Sequence, residues 1–84
     1  AMKGRVLISP KKGIADPQGT AVEQALHALG FADVRAVRVG KVIDLELPEG
    51  DRVAALAALA RMSEQLLANT VVETYSCSIL DEGA

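Results

Sequence analysis

The chain predicts an α+β fold: a two-layer sandwich of four antiparallel strands with two helices on one face. Three observations predict it. Short runs rich in Val, Ile and Leu recur at residues 3–10, 34–39, 42–47 and 71–80, at the length of strands rather than helices. Two longer stretches place their apolar residues at the helical spacing, and each opens on an aspartate suited to cap it. The resulting order is strand, helix, strand, strand, helix, strand, which is two strand–helix–strand halves.

Residues 3–10 contain the continuous run Val6, Leu7 and Ile8, of the kind a covered central strand uses. Pro10 closes it, because proline donates no ladder hydrogen bond. Residues 11–30 are a loop feeding a capped helix. Asp16 is the N-cap, and Pro17 takes the first helical position, where no backbone N–H is needed. Val22, Ala25, Leu26 and Leu29 form one stripe, and Gly30 ends the helix. Gly19 lies in the first turn, where a better helix former would serve. That breach points to a close approach to the backbone there.

Phe31, Ala32 and Asp33 lead into a second strand at 34–39, and Gly40-Lys41 is the turn to a third at 42–47. A tight hairpin sets Val39 opposite Val42, Val37 opposite Asp44 and Arg35 opposite Glu46. Val34, Ala36, Ile43, Leu45 and Leu47 then form the core face. The other face carries Val37, Val39 and Val42, an apolar patch that suits self-association. This assignment depends on register, since a slip of one residue exchanges the faces. Pro48, Glu49 and Gly50 break the chain, and Asp51 caps a second helix with a stripe of Val53, Leu56, Leu59 or Ala60, Ser63 and Leu67, ending near Asn69. Residues 71–80 form the last strand, with Tyr75, Cys77 and Ile79 inward. Residues 81–84 read as a frayed tail, and Ala1 as the remnant of a cleaved tag. The whole reads as one domain over residues 1–84, a ferredoxin-like sandwich whose far sheet face is open to a second copy.

Half of the residues are apolar, but fourteen are Ala and there is one Phe, one Tyr and no Trp. A chain this small buries only about 60–65% of its unfolded surface, and alanine adds little buried area. The core is thin, and oligomerisation is a natural supplement. The single cysteine, Cys77, excludes an internal disulfide and a cysteine zinc site, and fits a cytoplasmic setting. No apolar run approaches a membrane span. The net charge is −2, with seven basic and five acidic residues up to position 47 and two basic and six acidic beyond it. The acidic total and scarcity of aromatics argue against nucleic acid.

Catalytic chemistry is unsupported. His27 stands beside the stripe of its helix without a ligand partner or nucleophile. Ser9, Ser63, Ser76 and Ser78 have no histidine at a motif spacing. Cys77 lies in an apolar strand, where a buried, inert thiol is the default. The carboxylates are scattered rather than clustered for a metal. Lys12-Gly13 and Gly40-Lys41 lack the full spacing of a phosphate loop.

The chain does resemble a known family. The residues that carry the resemblance are Asp16-Pro17-Gln18-Gly19-x-Ala21-Val22, Ala25-Leu26-x-x-Leu29-Gly30-Phe31 and Val37-Arg38-Val39-Gly40-Lys41, followed by Leu66-Leu67-Ala68-Asn69 and Val71-Val72-Glu73. They are similar to PurS, the small subunit of phosphoribosylformylglycinamidine synthase, over nearly the whole length. The second helix departs from the pattern in being richer in Ala and poorer in Glu. The resemblance implies a non-catalytic subunit of an enzyme that converts formylglycinamide ribonucleotide, ATP and glutamine to formylglycinamidine ribonucleotide. Synthetase chemistry belongs to PurL, which would bind ATP and Mg²⁺, and ammonia comes from PurQ. This subunit joins the two, aids ammonia transfer and forms a dimer or tetramer, with no catalytic residue, cofactor or metal of its own. Exposed turns rich in glycine and basic residues make Lys11, Lys12, Asp16, Gln18, Gly19, Arg38, Gly40 and Lys41 the expected partner contacts.

Two other classes stay open. A ligand-sensing regulatory domain of ferredoxin-like type would show a metabolite-dependent rise in Tm. A nucleic-acid-binding sandwich would need basic or aromatic residues on the open sheet face, where Thr74, Ser76 and Ser78 stand instead.

Overall fold

The computed structural model describes residues 2–80. Ala1 and residues 81–84, read above as a tag remnant and a tail, lie outside the described residues. The elements are strand β1 (Met2–Pro10), helix α1 (Pro17–Ala28), strand β2 (Lys41–Leu47), helix α2 (Arg52–Met62) and strand β3 (Glu73–Leu80). A π-helical turn, Ser63–Leu67, extends α2. The three strands form one antiparallel sheet in the order β2-β1-β3.

The apolar run Val6–Ile8 does occupy the centre. Val6 and Ile8 are buried, while Leu7, on the opposite face, is 47% exposed. Above the buried face lies α2, capped by the Asp51 carboxylate, which accepts the Ala54 amide at 3.2 Å. Its inward face is Ala55, Leu59 and Ser63, one residue per turn. Small residues on either side of Leu59 let the helix come down onto Gly4 and Leu47. Val53, expected in the stripe, is 72% exposed instead. The Ser63 hydroxyl donates to the Leu59 carbonyl at 2.8 Å, which satisfies the one buried polar side chain among the described residues. Met2, Ile43, Leu45, Met62, Leu67, Tyr75, Cys77 and Ile79 pack around this core, so the inward assignment of the last strand holds.

Two further expectations are overturned. Residues 34–39 are not a strand, and there is no hairpin at Gly40-Lys41. Lys41 pairs with Ile8, Val42 with Leu7, Asp44 with Arg5 and Glu46 with Lys3. Val39 is therefore not opposite Val42, nor Val37 opposite Asp44, nor Arg35 opposite Glu46. One local cause is Ala36, whose φ of 56° is left-handed and interrupts a strand. The second concerns the helices. Only α2 covers the sheet; α1 buries nothing but Gly19, and its partner is the irregular segment that follows it. The molecule measures 48 × 32 × 14 Å with a radius of gyration of 16.1 Å, against about 12 Å for a compact chain of this length.

Candidate functional site

Helix α1 and residues 34–39 form an arm that leaves the sheet where β1 ends and β2 begins. A polar stripe on α1 holds it together. The Asp16 carboxylate caps the helix, accepting the Gly19 amide at 3.1 Å, and its other oxygen accepts the Val39 amide at 2.8 Å. One turn further along, past Gly19, Glu23 accepts the Val37 amide at 3.2 Å. His27 Nε2 donates to the Val34 carbonyl at 2.7 Å. The helix rises about 16 Å between Asp16 and His27, and five extended residues cover about the same distance. The returning chain therefore runs antiparallel to the helix at nearly strand-like pitch.

Gly19 explains its own presence. A Cβ there would overlap the Val37 carbonyl oxygen, so the close approach inferred from the sequence is the returning chain itself. Gly40 behaves likewise, because a Cβ would overlap the Ile8 carbonyl oxygen. The Arg38 guanidinium donates to the Ile14 carbonyl at 2.6 Å and ties the loop before α1 to the segment after it. Amide donation from Val39 and then Gly19 holds the Asp16 carboxyl below its ordinary value, with the nearby Arg38 charge adding to the effect.

Of the expected contact residues, Asp16, Gly19 and Arg38 gather at the base of the arm, together with Val37 and Val39. Gly40 and Lys41 lie beside them at the start of β2, where the Lys41 ammonium is 3.6 Å from Glu73. The Lys11 amide donates to the Val72 carbonyl at 2.8 Å, anchoring the loop to the sheet. Lys12 and Gln18 are exposed. Val42 is separated from Val37 and Val39: it is 58% exposed on the open sheet face, beside Leu7. That face also carries the Arg5–Asp44 pair, joined by two hydrogen bonds of 2.8 and 3.0 Å.

A cleft of about 250 Å³ lies at the arm's base between Ile14, Thr20, Glu23 and Ala36. Its charged groups, Asp16, Glu23 and Arg38, hydrogen-bond to backbone of the arm and of the loop before it. The sequence reading missed Glu23 and His27 as parts of the site. Their signal was the polar stripe Asp16, Gly19, Glu23, His27, which follows helical spacing beside the apolar one.

A family model described as "PurS: Phosphoribosylformylglycinamidine (FGAM) synthase" matches residues 3–81. The phosphoribosylformylglycinamidine synthase subunit PurS of Bacillus subtilis is 45% identical over 74 residues, 87% of this chain and 86% of that protein. A crystal structure of PurS from Methanocaldococcus jannaschii, one of the subunits of formylglycinamide ribonucleotide amidotransferase, superposes with a TM-score of 0.85 at 32% identity, covering 96% of this chain and 98% of that one. A chain in the structure of PurLQS from Thermotoga maritima superposes at 0.84 with 29% identity, covering 94% and 96%.

Proposed function

The chain belongs to the PurS family of phosphoribosylformylglycinamidine synthase, and from that premise we propose that it is the small, non-catalytic subunit of this enzyme in purine biosynthesis. The observation that carries the reading is continuity: the family match runs from residue 3 to 81 and the likeness to a chain of a PurLQS assembly covers 94% of this one. The subunit self-associates and joins the synthetase PurL to the glutaminase PurQ, aiding passage of ammonia to formylglycinamide ribonucleotide. ATP and Mg²⁺ are bound by PurL, and the complex works in the cytoplasm. In the assembled subunit the sheet is the four-stranded ferredoxin-like one, a reading supported by the antiparallel order β2-β1-β3.

Partner contact runs through the loop and arm base. Lys12, Gln18, Arg38 and Lys41 present exposed polar groups, while Lys11, Asp16, Gly19 and Gly40 hold the backbone that displays them. Val37, Val39 and Val42 serve self-association from two separate patches.

Reconstitution tests the reading. Mixed with PurL, PurQ, ATP and glutamine, the chain enters a complex seen by light scattering, and glutamine-dependent synthesis appears only in its presence. A chain that joins nothing and leaves synthesis unchanged overturns it. Charge reversal at Arg38 and Lys41, and separately at Lys11 and Lys12, weakens assembly; unaltered assembly removes those residues from the contact.

A further inference from the structure

Strand β3 leaves one edge of the sheet bare, and the phase of its hydrogen bonds says which groups stand there. The Lys11 amide donates to the Val72 carbonyl at 2.8 Å, one step beyond the Pro10–Glu73 pair in the β1–β3 register. Bonded and non-bonded pairs alternate along such a ladder, so Thr74, Ser76 and Ser78 turn their backbone groups to β1. Pro10, with no amide to donate, falls at a non-bonded position. Tyr75, Cys77 and Ile79 turn theirs outward, where no strand lies among the described residues. The Glu73 amide is taken by the Asn69 carbonyl at 2.7 Å, so the bare edge spans 75–79 and centres on Cys77. From Thr74 to Leu80 there is no charge and no proline, and the register shows no bulge. Those are the devices that keep strand edges from pairing. The other edge strand, β2, carries Lys41, Asp44 and Glu46.

An apolar helix flank overhangs the same edge. Leu59 of α2 points down onto Gly4 of β1, whereas Ser63 Oγ lies 3.8 Å from Cys77 Sγ on β3 and Glu64 accepts the Tyr75 hydroxyl at 2.9 Å. Going round the helix from Leu59 through Ser63 to Glu64 therefore leads out past β3. Val53, Leu56 and Ala60 share that flank with Glu64 at helical spacing. Val53 is 72% exposed and the other two are half-buried. We propose that β3 pairs with β3 of a second copy, antiparallel about a two-fold axis at Cys77, and that the two α2 helices pack over the seam. The occupant is a copy of this chain because one rotation satisfies edge and flank together. Tyr75 then lies opposite Ile79 of the other copy and Ser76 opposite its Ser78, so each face meets its own kind. Neighbouring strands stand about 4.8 Å apart. With α2 above both β1 and β3, the two helices come to about 10 Å, the distance at which helices pack. The contact goes beyond the proposed function, which places self-association at Val37, Val39 and Val42, and lies at the opposite edge of the sheet.

Cysteine pairing tests the contact and its register. In a Cys77→Ser background, Ser76→Cys and Ser78→Cys each put one thiol on the exposed face of β3. About an axis at residue 77 the two positions lie opposite each other, in a pair whose Cα atoms are about 4.5 Å apart, within disulfide reach. Mixed in equal amounts under oxidised glutathione, the two variants form the mixed disulfide dimer about tenfold or more faster than either links to itself, because pairing raises the local thiol concentration. No disulfide dimer, equal yields of the three dimers, or a preference of Ser76→Cys for itself overturns the proposal. Cys77→Pro is the second variant. The Cys77 amide faces away from β1, so proline there removes no bond of the chain's own ladder and blocks the pairing. Light scattering shows a smaller assembly than the unaltered chain forms at equal concentration; an unchanged mass in a folded variant overturns the proposal. If Cys77→Pro misfolds, the disulfide result decides. Loss of PurL binding by folded Cys77→Pro, with no mixed disulfide in the chain alone, gives the edge to another protein and likewise overturns it. The disulfide result is read on the chain alone, so a failed reconstitution with PurL and PurQ leaves it untouched.

Discussion

The Asp16 carboxylate accepts the Val39 amide at 2.8 Å while its other oxygen caps α1 through Gly19, so one side chain both starts the helix and clamps the chain that returns beside it. Replacing Asp16 with Ala should release both. Hydrogen exchange at the Val39 amide should quicken markedly, and Tm should fall. The pH dependence follows from the lowered pKa. The clamp contributes fully above the ordinary carboxylate value of 3.8 and is lost as pH falls through the lower folded value. Acid melts should therefore show a stability difference between Asp16→Ala and the unaltered chain that shrinks in that window.

Gly19→Ala should destabilise, although Gly→Ala inside a helix ordinarily stabilises by about 0.5–1 kcal/mol. The added Cβ meets the Val37 carbonyl oxygen, and overpacking of this kind costs about 1–3 kcal/mol. Gly40→Ala should behave the same way against Ile8. Urea midpoints at constant m-value check both.

The core hangs on few large side chains. Leu59 is 0% exposed, over Gly4 and Leu47, and Leu59→Ala should cost about 2–5 kcal/mol. Leu66, 82% exposed at the end of the same helical run, should change stability by no more than about 0.5 kcal/mol on the same substitution. Denaturant titration of the two variants separates the cases.

Tyr75 is the one tyrosine of the chain, so its phenol can be titrated without ambiguity. Its hydroxyl donates to Glu64 at 2.9 Å, and that bond, then burial and the Glu64 charge, raise its pKa above the ordinary 10.0. The contribution is present below the ordinary value and lost as pH rises through the raised one. Glu64→Gln should bring the ultraviolet titration midpoint down toward 10.0.

Local chemistry was legible where one residue decides one feature. Asp16 and Asp51 cap their helices as read, Gly19 marks a close approach, and Val6 and Ile8 make the central strand. The alternation of Tyr75, Cys77 and Ile79 put the right face inward. The candidate site was legible only in part. Asp16, Gly19, Arg38 and Gly40 were named for partner contact, and three of them are engaged within the arm by hydrogen bonds or close approach. Glu23 and His27 were missed because a polar stripe on a helix reads as solvated surface until something with free backbone donors and acceptors lies along it.

What the sequence determined by itself was the kind of element at most positions and the family, because caps, turns and hydrophobic period act within a few residues of each other. What only the tertiary structure decided was where α1 and residues 34–39 go. An apolar stripe states that a helix must be covered but carries no address for its cover. The choice between covering its own sheet and standing off as an arm is made by the path of the chain past Gly40 along Ile8, by the left-handed turn at Ala36 and by the clamp between Asp16 and Val39.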